Sequence, residues 1–164
     1  MDQQAVEIEV PSVEDSVPMW RLIQKAGNLD VNSAYAYMLF CKHFSQTCRV
    51  ARRDGELVGA ATGYLMPDEP ESLFVWQVVV DRQARGLGLA GKLLDALIAG
   101  SRNRIRRIKT TVSPSNMASR RIFDKLATRL DTTITLSEGF PQSLFPDAHE
   151  AEPLLTLGPL NPTN

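Results

Sequence analysis

Apolar residues recur every three or four positions in four stretches of the chain, which predicts helices over residues 12–27, 32–44, 90–98 and 117–130. Ser12 is a candidate N-cap of the first helix and Gly27 its end, although a proline inside the window allows a later start. Asn32 or Ser33 can cap the second helix, and Asn116 can cap the fourth. The apolar face of the third helix comprises Ala90, Leu93, Leu94, Leu97 and Ile98.

Extended apolar runs predict strands over residues 5–10, 48–66, 72–80, 108–113, 132–137 and 153–157. The second run is a hairpin that turns at Asp54-Gly55. The third, SLFVWQVVV, is the most apolar, and a strand that is apolar on both faces belongs in the middle of a sheet. The order of elements predicts the α/β class, with one mixed sheet and helices on both of its sides.

Chain length and charge narrow the class of protein. With 164 residues we expect a single domain over 1–164, its first few and last few residues loose. Lys and Arg number 18 against 19 Asp and Glu, so net charge does not support binding to nucleic acid or to a membrane surface. No apolar run approaches the ~20 residues of a membrane helix, and the N-terminal sequence lacks the regions of a signal peptide. We expect a cytoplasmic protein.

Two local clusters raise the question of a metal site or an RNA contact. Cys41 and Cys48, even with His43 between them, fit no metal or redox spacing. We expect Cys41 to be a small buried helix residue and Cys48 to begin a strand, and we expect no metal. The basic stretch RNRIRRIK, residues 102–109, is expected to complement the dipole at a helix end rather than to bind RNA.

The stretch VVVDRQARGLGLAGKLL, residues 78–94, contains three overlapping phosphate-binding motifs. Gly86, Gly88 and Gly91 spell G-x-G-x-x-G, the dinucleotide fingerprint. Gly86, Gly91 and Lys92 nearly spell a Walker A loop. Gln83, Gly86 and Gly88 spell Q-x-x-G-x-G, a different phosphate loop.

Only the third motif agrees with its surroundings. A Walker A loop requires Ser or Thr after its Lys to bind Mg²⁺, and Leu93 occupies that position. A dinucleotide fold requires a glycine directly at the strand end and an acid about 20 residues later, whereas here DRQAR intervenes and RIKTTVSP contains no acid. A central strand, a short glycine turn and a helix N-terminus can together direct several N–H groups at one anion, without obstruction from a Cβ atom.

This strand, loop and helix, followed about 30 residues later by a strand, an Asn and a helix, resemble the GCN5-related N-acetyltransferases over residues 6–160. The resemblance implies a mixed sheet of about seven strands flanked by about four helices, and acetyl-CoA as cosubstrate. The loop main chain would hold the diphosphate, the pantetheine arm would pair with the preceding strand, and Arg104 or Arg107 would meet the adenosine phosphates. The implied cofactor-binding residues are Val78, Val79, Val80, Gln83, Ala84, Arg85, Gly86, Leu87, Gly88, Leu89, Ala90, Gly91 and Asn116.

The segments LDVNSAYAYMLFCKHF, VWQVVVD, ARGLGLAGKLL, TTVSPSN and HEAEPLL resemble, more narrowly, the L-2,4-diaminobutyrate acetyltransferases of ectoine biosynthesis. This resemblance implies acetyl transfer from acetyl-CoA to the γ-amine of L-2,4-diaminobutyrate, N-γ-acetyl-diaminobutyrate as the product, and a homodimer. The alternatives are the same fold acetylating another small amine or a protein N-terminus, and a non-catalytic module that binds acyl-CoA.

The same resemblance implies an acceptor site. Asp30 would pair with a substrate ammonium group, Tyr35 would hydrogen-bond the substrate, and Trp76 would hold an ammonium group against its indole face. Glu152 would add a carboxylate, either from the same chain or from a second subunit. On spacing alone Asp30 is equally a helix-capping acid, and Trp76 is rather a core residue. Tyr37 lies on another helix face and is expected to pack.

One position departs from the family pattern. Many relatives place a Tyr seven residues after the Asn to protonate the leaving thiolate, and here Phe123 stands there. Tyr35 or water must replace it, or the thiolate leaves unassisted, which a thiol pKa near ~8.5 allows. We expect the amine proton to leave through water towards Asp30 or Glu152. His149 and Glu150 are weaker candidates for the acceptor site. For these two residues and for Glu152, the alternative is a place in a solvated loop before the last strand.

Overall fold

The computed structural model describes residues 5–161, so the predicted loose ends lie largely outside the described residues. The four predicted helices are present as α1 Ser16–Ala26, α2 Ala34–His43, α3 Leu89–Ala99 and α4 Met117–Arg129. The strands are β1 Glu7–Glu9, β2 Arg49–Arg53, β3 Glu56–Leu65, β4 Ser72–Val80, β5 Arg107–Thr111, β6 Ile134–Phe140 and β7 Glu152–Leu157. Short 3₁₀ turns precede α1 and α3, at Val13–Asp15 and Arg82–Ala84.

The seven strands form one sheet in the order β1-β2-β3-β4-β5-β7-β6, so the apolar strand β4 takes the middle position that its sequence predicts. The sheet is mixed, because β4 and β5 run parallel whereas β1–β2, β2–β3, β5–β7 and β6–β7 are antiparallel pairs. The parallel ladder joins Ser72–Phe74 to Arg107–Lys109. The predicted α/β class, with about seven strands and four helices, is confirmed.

The chain forms two compact units, one containing Trp76–Ser101 with the residues up to Tyr64, the other containing Leu65–Val75 with the residues from Arg102 onward. In the first unit α1 and α2 contribute to an apolar core whose buried members are Met19, Leu22, Ile23, Ala26, Tyr37, Cys41, Val50, Ala60 and Val79. These positions are buried, and buried positions favour residues with largely apolar side chains.

Local signals in the first unit have the predicted roles, with one shift. Gly27 ends α1 in the left-handed conformation, and the Ser33 hydroxyl accepts the Ala36 N–H as the cap of α2. Asp54 and Gly55 both have positive φ, as a tight two-residue hairpin turn requires. Ser12 caps the 3₁₀ turn instead of α1, which begins at Ser16.

The apolar face of α3 differs from the predicted one at a single position. Leu89 is buried and Ala90 is only half-buried, although both stand at helical spacing from the later leucines. The reason lies in β3, where Gly59 has no side chain and Leu89 and Leu93 fill the space above it. Periodicity alone cannot distinguish two adjacent rows of one helix face.

In the second unit β5, β7 and β6 form an antiparallel run, and α4 buries Phe123, Leu126 and Ala127. β6 extends to Phe140, three residues beyond its predicted end. The basic stretch 102–109 does not form a helix end as predicted, because α3 ends at Ala99. It instead forms a turn and enters β5, where Lys109 Nζ lies 2.6 Å from Glu69 Oε2.

Cys41 is buried in α2, as predicted, and Cys48 is buried as well; both are free thiols. Burial raises the pKa of Cys41 to about 12 and the pKa of Cys48 to about 11, because a thiolate is poorly solvated in the core. Cys48 immediately precedes β2, and its Sγ lies 3.8 Å from the Gly63 carbonyl oxygen. Both sulfurs are therefore protonated, packed side chains at neutral pH.

We predict that native protein at pH 8 reacts slowly with a thiol-specific disulfide reagent, since the thiolate is the reactive species and both folded-state pKa values lie far above 8. Protein unfolded in guanidinium chloride should release two equivalents of chromophore rapidly, because free thiols titrate near ~8.5. Rapid modification of either thiol in the native state would contradict the buried placement.

Candidate active site

The end of β4 leads directly into the glycine-containing loop. Val79 is buried, and Val78 and Val80 are half-buried on this strand. The next residue, Asp81, is held at the sheet by its N–H, which donates to the Val58 carbonyl at 2.8 Å. The three valines named as cofactor-binding residues therefore belong to an ordered strand segment beyond the Ser72–Phe74 ladder.

Asp81 organises the first part of the loop. Its Oδ1 accepts the Gln83 N–H at 2.9 Å, which caps the 3₁₀ turn, and its Oδ2 accepts from Lys25 Nζ at 2.7 Å. These two bonds, the Lys25 ammonium first, lower the pKa of the Asp81 carboxyl. Within the turn Ala84 is fully buried, whereas Gln83 and Arg85 are exposed. The turn is thus anchored by one carboxylate and one alanine methyl group.

The two glycines of the loop are required by backbone conformation. Gly86 has φ 82° and Gly88 has φ 66°, both in the left-handed region that a residue with a Cβ atom rarely adopts. A Cβ atom added at either position would meet no described non-neighbouring atom within 4 Å. Close approach of a ligand is the reason for glycine that the sequence predicts at these positions, and the positive φ values are a second, independent reason.

The N-terminus of α3 follows immediately. Gly88 is the N-cap and has no side chain to accept the first N–H groups, and the first intrahelical bond runs from the Lys92 N–H to the Gly88 carbonyl at 3.1 Å. The N–H groups of the first turn are those of Leu89, Ala90 and Gly91, and they lie at the positive end of the helix dipole. A helix start of this kind favours an anion such as a phosphate group.

The predicted acceptor residues of the first unit lie in a loop, a helix and a strand. Asp30 is exposed in the loop before α2, and Tyr35 in the first turn of α2 is 66% exposed. Trp76 on β4 is half-buried and stacks on Phe40, with ring centroids 4.7 Å apart, and on Tyr37, with centroids 5.8 Å apart. Trp76 thus has the packing role that its position in the strand favours, and its role towards an ammonium group stays a prediction.

In the second unit Asn116 has a definite structural role. Its side-chain oxygen accepts the Ser119 N–H at 3.2 Å and thereby caps α4, as predicted. The preceding Ser115 donates through its backbone N–H and its hydroxyl to the Glu150 carboxylate. The loop before β7 is therefore tied to the start of α4.

Glu152 lies in a strand, whereas the alternative placed it in a solvated loop. It is the first residue of β7, pairs with Phe140 of β6 and is half-buried. His149 Nε2 lies 4.0 Å from Glu152 Oε1, and the His149 ring stacks on Phe145 at 4.1 Å between centroids. His149 and Glu150 do remain in the loop, as expected.

Phe123, which replaces the tyrosine of many relatives, is buried on the core side of α4 and is 4% exposed. It has no proton to donate, and its burial shows that it serves packing. The proton for a leaving group therefore has to come from another group.

Two residues of this region were not identified from the sequence. Gln77 is a buried polar residue inside the apolar run VWQVVV, and Asp81 stands two residues before the turn residue that it caps. A lone buried amide in a central strand, and an Asp at a cap position, were the signals available. Both matter because they hold the candidate residues in place.

Neither metal nor membrane features occur in the described part of the chain. No three His, Cys, Asp or Glu side chains among residues 5–161 are grouped so that they could hold a metal ion. No helix in the same range is long and apolar enough to cross a membrane.

Comparison with known proteins agrees with this geometry. The chain is 43% identical to an L-2,4-diaminobutyric acid acetyltransferase of Halalkalibacterium halodurans, over 96% of this chain and 84% of that protein. It is 42% identical to the corresponding protein of Marinococcus halophilus, over 94% and 91%. A structure of diaminobutyrate acetyltransferase from Paenibacillus lautus, in complex with L-2,4-diaminobutyric acid and coenzyme A, is 40% identical and superposes with a TM-score of 0.89 over 98% of this chain and 99% of that one.

The likeness of the fold reaches further than the likeness of sequence. Ard1 from Thermoplasma volcanium is 16% identical and has a TM-score of 0.77 over 94% of this chain and 98% of that one, which shows a shared fold alone. Residues 16–127 match the family described as acetyltransferase (GNAT), a span that includes α1, the glycine loop and most of α4. Together with full-length relatives above 40% identity, this match shows that the chain belongs to the GNAT acetyltransferase family.

Proposed function

We propose that this protein transfers the acetyl group of acetyl-CoA to the γ-amine of L-2,4-diaminobutyrate. The products are N-γ-acetyl-diaminobutyrate, a precursor of ectoine, and coenzyme A. The observation that carries the proposal is the 40% identity and 0.89 TM-score, over almost the whole chain, with an enzyme in complex with both diaminobutyrate and coenzyme A. The loop of left-handed glycines at the N-terminus of α3 supports it, because that loop suits a diphosphate.

On the donor side, the diphosphate binds to the main chain of the loop and to the first turn of α3. The pantetheine arm pairs along β4 at Val78, Val79 and Val80, since these residues follow the short ladder with β5. Asn116 contacts the cofactor through the part of its amide that does not cap α4. The full donor set is Val78, Val79, Val80, Gln83, Ala84, Arg85, Gly86, Leu87, Gly88, Leu89, Ala90, Gly91 and Asn116.

On the acceptor side, the substrate presents two ammonium groups and one carboxylate. Asp30 pairs with an ammonium group, and exposed Tyr35, five residues later, offers a hydroxyl to the same ligand. Trp76 adds cation–π attraction, worth up to ~2 kcal/mol when the cation is desolvated. Glu152 supplies a second carboxylate, from this chain or from a partner subunit.

The reaction requires a neutral amine. An alkyl amine with a pKa near ~10.4 is neutral in only about one molecule in a thousand near pH 7.4, so a proton must leave through water towards Asp30 or Glu152. The nitrogen then forms a bond to the thioester carbonyl carbon, its second proton leaves to water, and the carbon–sulfur bond breaks. The departing thiolate takes a proton from Tyr35 or from water, because Phe123 has none. Correct orientation of the two reactants can supply roughly 7–11 kcal/mol.

We further propose that 1–164 acts as one domain in the cytoplasm and assembles as a homodimer. The support for the dimer is β6, the last strand in the sheet order, which with the following turn carries the exposed apolar residues Leu136, Phe140 and Leu144. An open edge strand with apolar side chains is a template for association. Sedimentation equilibrium that returned the mass of one chain at micromolar concentration would remove this proposal.

The substrate is tested by measuring thiol release from acetyl-CoA with diaminobutyrate, ornithine, lysine and a short peptide. We expect the highest kcat/KM with diaminobutyrate. Turnover of the peptide alone would favour acetylation of protein N-termini, and acetyl-CoA binding without turnover of any amine would favour a non-catalytic module. Either result overturns the proposed function.

The phosphate loop is tested by Gly88→Asp, with Gly88→Asn as the matched control. Asp and Asn both tolerate the left-handed conformation, so the two variants differ mainly in charge. A carboxylate set against a diphosphate costs several kcal/mol, so we expect acetyl-CoA affinity to fall on the order of 100-fold in Gly88→Asp, and much less in Gly88→Asn.

The measurement is calorimetric titration with acetyl-CoA, together with thermal unfolding of both variants. Gly27→Asn places the same substitution at a left-handed glycine that ends α1, and it should leave affinity unchanged. Unchanged affinity in Gly88→Asp would show that the diphosphate binds elsewhere.

The acceptor site is tested by Asp30→Ala and by Asp30→Asn, which keeps the volume and removes the charge. We expect kcat/KM for diaminobutyrate to fall roughly 10- to 100-fold in both, since the substrate ammonium group loses its proposed carboxylate partner. The KM for acetyl-CoA should stay within about twofold. Normal diaminobutyrate kinetics in Asp30→Asn would remove the carboxylate from the site.

A further inference from the structure

Gln77 uses both ends of its side-chain amide to connect β4 to the loop that carries Asp30. Its Oε1 accepts from the Tyr37 hydroxyl at 3.0 Å, and its Nε2 donates to the Asp30 carbonyl oxygen at 2.8 Å. A main-chain carbonyl can only accept, so the NH₂ end must face Asp30 and the oxygen must face Tyr37. Gln77 is 7% exposed, and burial of its amide without these partners would be destabilising.

Tyr37 provides the second connection. It is fully buried in α2, and its hydroxyl oxygen also accepts the Asn32 N–H at 3.4 Å. Asn32 is also held at its carbonyl oxygen, which accepts from Trp20 Nε1 of α1 at 3.0 Å. The main chain of residues 30–32 is therefore held at three atoms by side chains from β4, α2 and α1.

The strand that holds this loop through Gln77, β4, also contains the proposed donor segment. The Gln77 N–H donates to Thr62 Oγ1 of β3 at 3.2 Å, a bond that does not involve residues 30–32. Val78, the first of the three valines proposed to pair with the pantetheine arm, follows it directly. The distance from Asp30 to this part of β4 is consequently set by hydrogen bonds, although Asp30 itself is an exposed loop residue.

We propose that Gln77 and Tyr37 are positioning residues that determine which length of diamine the enzyme accepts. The inference rests on the proposed function, because it takes Asp30 as the contact for a substrate ammonium group and β4 as the support for the thioester. When the separation of Asp30 and the thioester on β4 is fixed, a diamine with one more methylene group does not match it. Its attacking amine is then displaced from the thioester carbonyl carbon. A single methylene is worth ~10- to 200-fold in discrimination in a rigid site, and a displacement of about 1 Å can cost ~100-fold in rate.

The test uses Tyr37→Phe, which removes one oxygen atom, and Gln77→Leu, which removes both hydrogen bonds at similar volume. The quantity to measure is the ratio of kcat/KM for diaminobutyrate to kcat/KM for ornithine. We expect this ratio to fall on the order of tenfold in each variant, because a released loop can move to accommodate the longer amine. The KM for acetyl-CoA should change by less than about twofold.

Thr62→Val is the matched control. It deletes a buried hydrogen bond to the same residue of the same strand, but Thr62 makes no bond to residues 30–32. It should lower the melting temperature by a few degrees, as the other two do, and should leave the substrate ratio unchanged. Amide hydrogen exchange gives a second readout, since the Asn32 N–H should exchange faster in Tyr37→Phe than in Thr62→Val.

A substrate ratio that stays constant in both variants, or that falls equally in Thr62→Val, overturns the inference. If Gln77→Leu does not fold, Tyr37→Phe with the hydrogen-exchange comparison decides alone. Wild-type protein that does not acetylate diaminobutyrate overturns the proposed function itself, so the two failures are distinguished by the unmutated enzyme.

Discussion

The burial of polar groups in the central strand is the constraint on which the candidate site depends. β4 is apolar on most of its length, and its one buried amide, Gln77, has to find partners because desolvation without them is costly. It finds them in Tyr37 and in the main chain of Asp30. A requirement of core stability thereby orders an exposed loop that is proposed to bind the substrate.

In the glycine loop, the charge of Asp81 and the backbone conformation of two glycines hold the main chain in place. Asp81 fixes the 3₁₀ turn through the Gln83 N–H and meets Lys25 from α1, so the loop is anchored before it reaches the glycines. Gly86 and Gly88 then adopt conformations with positive φ, and Gly88 is the N-cap of α3. The loop is thus held in place by contacts that lie within the first unit of the chain, and a helix N-terminus of this kind favours an anion.

The sequence predicted the structure correctly where the signal was local. The Ser33 cap, the Asp54-Gly55 turn, the Asn116 cap and the end of α1 at Gly27 each depend on a few adjacent residues, and each is present. It was wrong where a distant element decides. Leu89 rather than Ala90 is buried because β3 has a glycine opposite, and the last residues of the basic stretch lie in β5, which pairs with β4 and β7.

The sequence by itself determined the fold class, the position of β4 in the middle of the sheet and the glycine loop before α3, since periodicity and glycine spacing are properties of neighbouring residues. Only the tertiary structure decided that Gln77 supports the Asp30 loop, that Trp76 stacks on Phe40 and on Tyr37, and that Glu152 begins a strand beside His149. These contacts join residues from separate elements, and no spacing along the chain encodes which side chains will meet once the elements pack.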